Sequence, residues 1–175
     1  MIFRDREDAA RQLTGALVQY RGRNPLVLAI PRGAVPMAKI IAGELAGEVD
    51  VVLVRKLRVP GNSEFAIGSV DETGWIYLDD YAEQAGGSAE YIEAEKEAQL
   101  KLMRERRASY TPIRPSYDPS GRIVIVVDDG LATGSTMIAA LHALRAKSPK
   151  KLICAVPVAP PDTLAKVKPY PKDIA

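Results

Sequence analysis

The sequence predicts an α/β fold built on a parallel sheet. Two observations carry that. Short apolar, β-branched runs at Leu26–Ile30, Val49–Val54, Ile123–Val127 and Leu152–Val156 suit strands buried on both faces. Amphipathic helical stretches separate them, and strands alternating with helices argue for parallel pairing. In such sheets ligands bind at the C-terminal ends of the strands.

In chain order, Asp5 is positioned to cap a helix whose apolar face is Ala9, Leu13, Ala16, Leu17 and Tyr20. The strand Leu26–Ile30 runs into Pro31-Arg32-Gly33-Ala34. A helix follows with Met37, Ile40, Ile41 and Leu45 on one side. Val49–Val54 is a second strand leading to Arg55 and Lys56, then a loop holding Pro60, Gly61 and Asn62. Phe65–Val70 and Trp75–Leu78 flank Asp71–Gly74 and read as a hairpin. Ser88–Ser109 is a charged helix with Tyr91, Ala94, Ala98 and Leu102 at 3–4 spacing. Its acids come early and its arginines late, which suits the helix dipole, and its charges read as a solvated face. A Pro-rich connection, Thr111–Pro119, leads to the strand Ile123–Val127. After Leu152–Val156, Asp162 is placed to cap a short last helix. No internal repeat is evident.

A chain of 175 residues is one domain able to bury a core, and 1–175 is taken as a single unit. A net charge of +2 argues against nucleic acid as the main partner. Cys154 is the single cysteine, so no intramolecular disulfide forms; with no signal peptide or membrane span visible, the cytoplasm is the expected location. Cys154 reads as a buried inert thiol, and His142, the only histidine, as a packing or surface residue.

The most informative stretch, Val124–Thr136, reads VIVVDDGLATGST. A buried strand ends in adjacent carboxylates, Asp128 and Asp129. Gly130, Leu131, Ala132, Thr133, Gly134, Ser135 and Thr136 then form a small-residue turn, and a helix starts near Met137. Backbone N–H groups, hydroxyls and the helix N-terminus can cradle a phosphate there. The carboxylates suit sugar hydroxyls or a hydrated metal ion instead. Alone, such a loop is as well explained by a tight turn. It lacks the Gly-Lys-Ser/Thr of a Walker loop and the three-glycine spacing of a dinucleotide fingerprint.

The string resembles the phosphoribosyl pyrophosphate (PRPP) signature of type I phosphoribosyltransferases, and the resemblance extends from Leu26 to Val156. It implies a phosphoribosyltransferase-like, Rossmann-like core with helices on both faces, plus a β-hairpin and a helical insertion within 80–118. It implies that Asp128 and Asp129 hold the ribose hydroxyls or magnesium-bound water, and that Gly130, Ala132 and Thr133–Thr136 complete the ribose 5-phosphate site. Arg32, Gly33, Arg55 and Lys56 would face pyrophosphate, with a non-proline cis peptide near Arg32–Gly33. Asp128, Asp129 and Lys56 are the expected catalytic residues. Arg58–Gly68 corresponds to a mobile loop that closes over the site, with Glu64 near its tip contacting the lid or magnesium.

The reaction implied is transfer of ribose 5-phosphate from PRPP to a nitrogen nucleophile such as a nucleobase, with Mg2+ as cofactor and pyrophosphate released. The expected assembly is a homodimer, with neither nucleic acid nor membrane as partner. The family core usually continues beyond the point matching Ala175, so a C-terminal, base-binding element is expected to be missing. That keeps a second reading open: a non-catalytic sensor of PRPP or nucleotides on the same fold. A third is a hydrolase using Asp129 to activate water on a phosphorylated sugar.

Overall fold

The computed structural model describes residues 3–110 and 116–175. Five parallel strands form the main sheet: β1 (Leu26–Ala29), β2 (Glu48–Val51), β6 (Ile123–Val127), β7 (Lys151–Ala155) and β8 (Asp173–Ile174), in the order β2-β1-β6-β7-β8. A second, antiparallel sheet joins β3 (Val54–Val59), β4 (Asn62–Asp71) and β5 (Ile76–Leu78).

The pleat explains the core. Val27, Ala29, Ile125, Val127, Ile153 and Ala155 point to one face, where α1 (Arg6–Ala16) and α2 (Ala34–Leu45) cover them. Leu26, Leu28, Val124, Val126, Leu152 and Cys154 point to the other, under α4 (Ser135–Arg145). Successive strand residues alternate faces, and both faces are covered, so β6 is buried throughout. Asp5 caps α1 as expected, its Oδ1 accepting from the Asp8 N–H at 2.8 Å. In α1, Ala10 and Thr14 are buried and Ala16 is exposed, while Tyr20 is buried in the 3-10 turn that follows.

Several expectations are corrected. The second core strand stops at Val51, and from Val54 the chain belongs to the antiparallel sheet. Arg55 and Lys56 therefore lie inside β3 of the second sheet and not at the end of the second core strand. Most of Arg58–Gly68 is hairpin, with β3 and β4 turning at Pro60–Gly61, where Gly61 has φ +74°. The charged helix, α3 (Ala89–Tyr110), turns Gln99 and Met103 inward and leaves Ala94, Ala98 and Leu102 exposed. Met103 belongs to a cluster with Leu57, Ile67 and Val70 from the second sheet, so docking onto β3 and β4 chose the face. Asp162 sits in the first turn of α5 (Pro161–Val167) without capping it. After that helix, β8 adds a parallel edge strand, pairing Ile153 with Asp173. Of the Pro-rich connection, residues 111–115 lie outside the described residues.

From β1 the chain steps outward to β2, and from β6 it steps the other way to β7 and β8. The two halves diverge between β1 and β6, which opens a crevice at the C-terminal ends of these neighbours. Pro31–Gly33 and Asp128–Gly134 both emerge there.

Candidate active site

The crevice holds a cavity of about 350 Å³. Residues 128–137 form one wall, with Ile30, Pro31, Lys56, Glu64, Phe65 and Tyr81 around them. Asp128 stands at the end of β6, largely shielded. Burial pushes its carboxyl up to about 7; the Asp129 N–H bond opposes that rise, the Asp129 carboxylate adds to it, and Lys56 pulls weakly the other way. The Asp129 N–H donates to Asp128 Oδ1 at 2.8 Å.

Asp129 turns towards α1. Arg6 Nε and Nη2 donate to its Oδ2 at 3.1 and 2.8 Å. Gly33 backs it closely: a Cβ at this position would lie 2.2 Å from Asp129 Oδ2, so only glycine leaves the carboxylate its place. The Pro31–Arg32 peptide is cis, one bond before the stretch where the resemblance put it.

The small-residue loop is held from behind. The Leu131 N–H donates to the Val158 carbonyl at 3.0 Å, and the Thr163 hydroxyl to the Ala132 carbonyl at 2.6 Å. Gly134 takes φ +84°, a region where side chains are strained, and opens α4 directly. The hydroxyls of Thr133 and Ser135 lie 3.1 Å apart. Ser69 Oγ, fully buried on β4, approaches Ser135 Oγ at 3.2 Å and Thr136 Oγ1 at 3.3 Å. These hydroxyls gather around the N-terminus of a helix, where unpaired N–H groups favour an anion.

The two basic residues of β3 share one cavity, and Lys56 reaches a second. Lys56 lines the main cavity. Arg55 donates through Nε to Gln99 Oε1 at 3.0 Å and lines an adjoining cavity of about 390 Å³ with Lys56 and Arg58. Burial, then Arg106, Arg58 and Arg32, pushes the Arg55 guanidinium below its ordinary value. Arg32 and Gly33 flank the crevice without lining the main cavity. Among the described residues no group of three or more His, Cys, Asp or Glu side chains is arranged to hold a metal.

Two residues of this neighbourhood escape a reading of the sequence. Arg6 meets Asp129 across 123 positions of chain, and nothing local marks it. Ser69 carries a faint signal, a polar residue between the apolar Ile67 and Val70 of a buried strand.

An open parallel sheet with a carboxylate pair and a hydroxyl-lined loop at its point of divergence defines an α/β domain with a polar cleft. The chain belongs to the phosphoribosyl transferase domain family, which it matches over residues 2–175. It is 38% identical over 174 residues to a Mycobacterium tuberculosis protein named "Putative phosphoribosyl transferase Rv0571c", covering 99% of this chain and 39% of that protein. The chain thus spans about two-fifths of its curated relatives' length. Its fold matches the crystal structure of TT1426 from Thermus thermophilus with a TM-score of 0.79 and 42% identity, over all of this chain and 84% of the other. A hypoxanthine-guanine phosphoribosyltransferase from Bacillus anthracis shares the fold at a TM-score of 0.51 and 14% identity, over 93% of this chain and 78% of that one. No helix among the described residues is long and apolar enough to cross a membrane.

Proposed function

We propose that residues 1–175 form one phosphoribosyltransferase domain that binds PRPP with Mg2+ and transfers ribose 5-phosphate to a nitrogen nucleophile. One observation carries the reading. The acid pair and the hydroxyl-rich loop face the same cavity as Lys56 and Pro31.

In this reading the loop from Gly130 to Thr136 binds the 5-phosphate through backbone N–H groups and hydroxyls. Asp128 and Asp129 accept hydrogen bonds from the ribose hydroxyls, which fixes the sugar for attack. Arg32, Gly33, Arg55 and Lys56 receive pyrophosphate, the basic groups stabilising charge that builds on the leaving oxygen. The two carboxylates supply hard oxygen ligands that fit Mg2+ held mainly through water and substrate oxygens. When bound, Mg2+ offsets the charge of the pyrophosphate.

The test is incubation with labelled PRPP, Mg2+ and a panel of nucleobases, following pyrophosphate release. Release that depends on one base supports the enzyme. Tight PRPP binding without release for any base supports a sensor, and absence of PRPP binding removes the proposal.

A further inference from the structure

Ser69 is fully buried on β4, the middle strand of the second sheet, yet its hydroxyl meets the loop proposed to hold the 5-phosphate. We infer that Ser69 is a positioning residue for that phosphate: its proton goes to Ser135 or Thr136 and so commits the loop to donate a hydroxyl proton into the cavity. The inference rests on the proposed placement of ribose 5-phosphate along Gly130–Thr136.

A count of protons gives the first argument. Four hydroxyls form one chain, Thr133–Ser135–Ser69–Thr136, with oxygen separations of 3.1, 3.2 and 3.3 Å. Each hydroxyl has one proton and two lone pairs. Three links use three protons, which leaves one free to point away from the chain. The free proton is not that of Ser69, because among the described residues its oxygen reaches no other acceptor and no solvent reaches it. All links then run towards whichever loop hydroxyl carries the free proton. In each such arrangement Ser69 donates to a loop hydroxyl, and Thr133, Ser135 or Thr136 donates outward. All three line the main cavity. A phosphate dianion only accepts hydrogen bonds, so a loop hydroxyl already turned outward suits it before it arrives. A hydroxyl that accepts from Ser69 is also polarised into a better donor.

Register gives the second. Ser69 lies opposite Lys56 in the β3–β4 pair, and cross-strand partners share a face. Lys56 therefore reaches the cavity from the same face of the sheet on which Ser69 meets the start of α4. Two neighbouring positions serve the two ends of the proposed substrate, Lys56 the pyrophosphate and Ser69 the 5-phosphate. Loss of the hydroxyl should affect one end alone, whereas a shift of the second sheet would affect both.

Calorimetry on the intact chain tests this with ribose 5-phosphate and with inorganic pyrophosphate plus Mg2+ as separate ligands. Ser69→Ala and Ser69→Cys should each weaken ribose 5-phosphate by about fivefold or more, the loss expected of one hydrogen bond, and leave pyrophosphate within about twofold of the parent protein. The cysteine variant separates the roles, because it keeps the side-chain volume and donates weakly. Circular dichroism checks folding, and if Ser69→Ala unfolds, Ser69→Cys decides. Ribose 5-phosphate affinity that survives in Ser69→Cys makes Ser69 a packing residue and overturns the inference. Equal loss of both ligands makes it a tether of the second sheet and overturns it too, as does unfolding of both variants. Failure of either ligand to bind the parent protein overturns the proposed placement of PRPP, and this inference with it.

Discussion

Asp128 shows what burial does to one acid. Its folded carboxyl titrates near 7, well above the ordinary 3.8, because desolvation disfavours the charged form and Asp129 adds repulsion. The folded state therefore holds this proton where the unfolded chain has lost it. Its stabilising contribution is complete below the unfolded value and is lost as pH rises through about 7. In metal-free buffer, urea unfolding should show stability falling between pH 5 and pH 8, and Asp128→Asn should flatten that slope. An identical slope in both proteins would mean that Asp128 stays ionised. Cys154 offers a second check. It is fully buried, and burial, then Asp128, pushes its thiol up to about 12. A thiol reagent should leave the native protein unmodified at pH 8 and react at once in denaturant. Fast native labelling would mean that the sheet opens locally around β7.

The hairpin of β4 and β5 is governed by one carboxylate. Asp71 is fully buried, and its Oδ1 accepts from the Thr73 N–H at 2.8 Å, the Thr73 hydroxyl at 2.5 Å and the Trp75 N–H at 3.1 Å. Trp75 then stacks on His142 of α4, ring centroids 3.6 Å apart, which ties the second sheet to the helix behind the phosphate-type loop. Asp71→Ala strands those donors and should cost about 1.5–3 kcal/mol in urea unfolding, whereas Asp71→Asn keeps an acceptor and should cost less. Equal losses would show that charge, not turn closure, matters here.

The elements legible in the sequence were those whose pattern is decided locally. The run Ile123–Val127 is apolar because both its faces are covered, and Asp5 caps α1 from three residues away. The β3–β4 hairpin was not legible. Arg55, Lys56 and Arg58 interrupt its apolar alternation, and Pro60-Gly61-Asn62 reads as loop until the pairing of Leu57 with Gly68 is seen. Nor was the buried face of α3, because Gln99 turns inward to meet Arg55 from a different element. The residues named for the candidate site lie on local patterns around β1, β3 and β6. Arg6 does not, since only the tertiary fold brings it to Asp129.

At the scale of the molecule, the second sheet with α3 is an arm beside the main sheet. Its base has its own core of Leu57, Ile67, Val70 and Met103. Tyr91 Oη donates to the Arg58 carbonyl at 2.8 Å, and Glu95 Oε1 accepts from the Arg58 N–H at 3.2 Å, so α3 grips the hairpin as far as Arg58. Beyond that the tip is held mainly by the Phe65 ring, 5.5 Å from that of Tyr81. Residues 61–65 are exposed, Phe65 by 51%, yet Glu64 and Phe65 line the main cavity. A segment with a firm root, a tip with few apolar contacts and side chains over a polar cleft has the physical character of a lid. Its closure would exclude water from a reactive ribosyl centre and favour transfer over hydrolysis. Amide hydrogen exchange should therefore slow across Arg58–Gly68 when PRPP and Mg2+ are added, most of all at residues 61–65, while β6 stays protected throughout. Equal exchange at saturating PRPP would remove the lid. The cleft would then stay open to water with ligand bound, a state suited to sensing a ribose phosphate and not to transferring one.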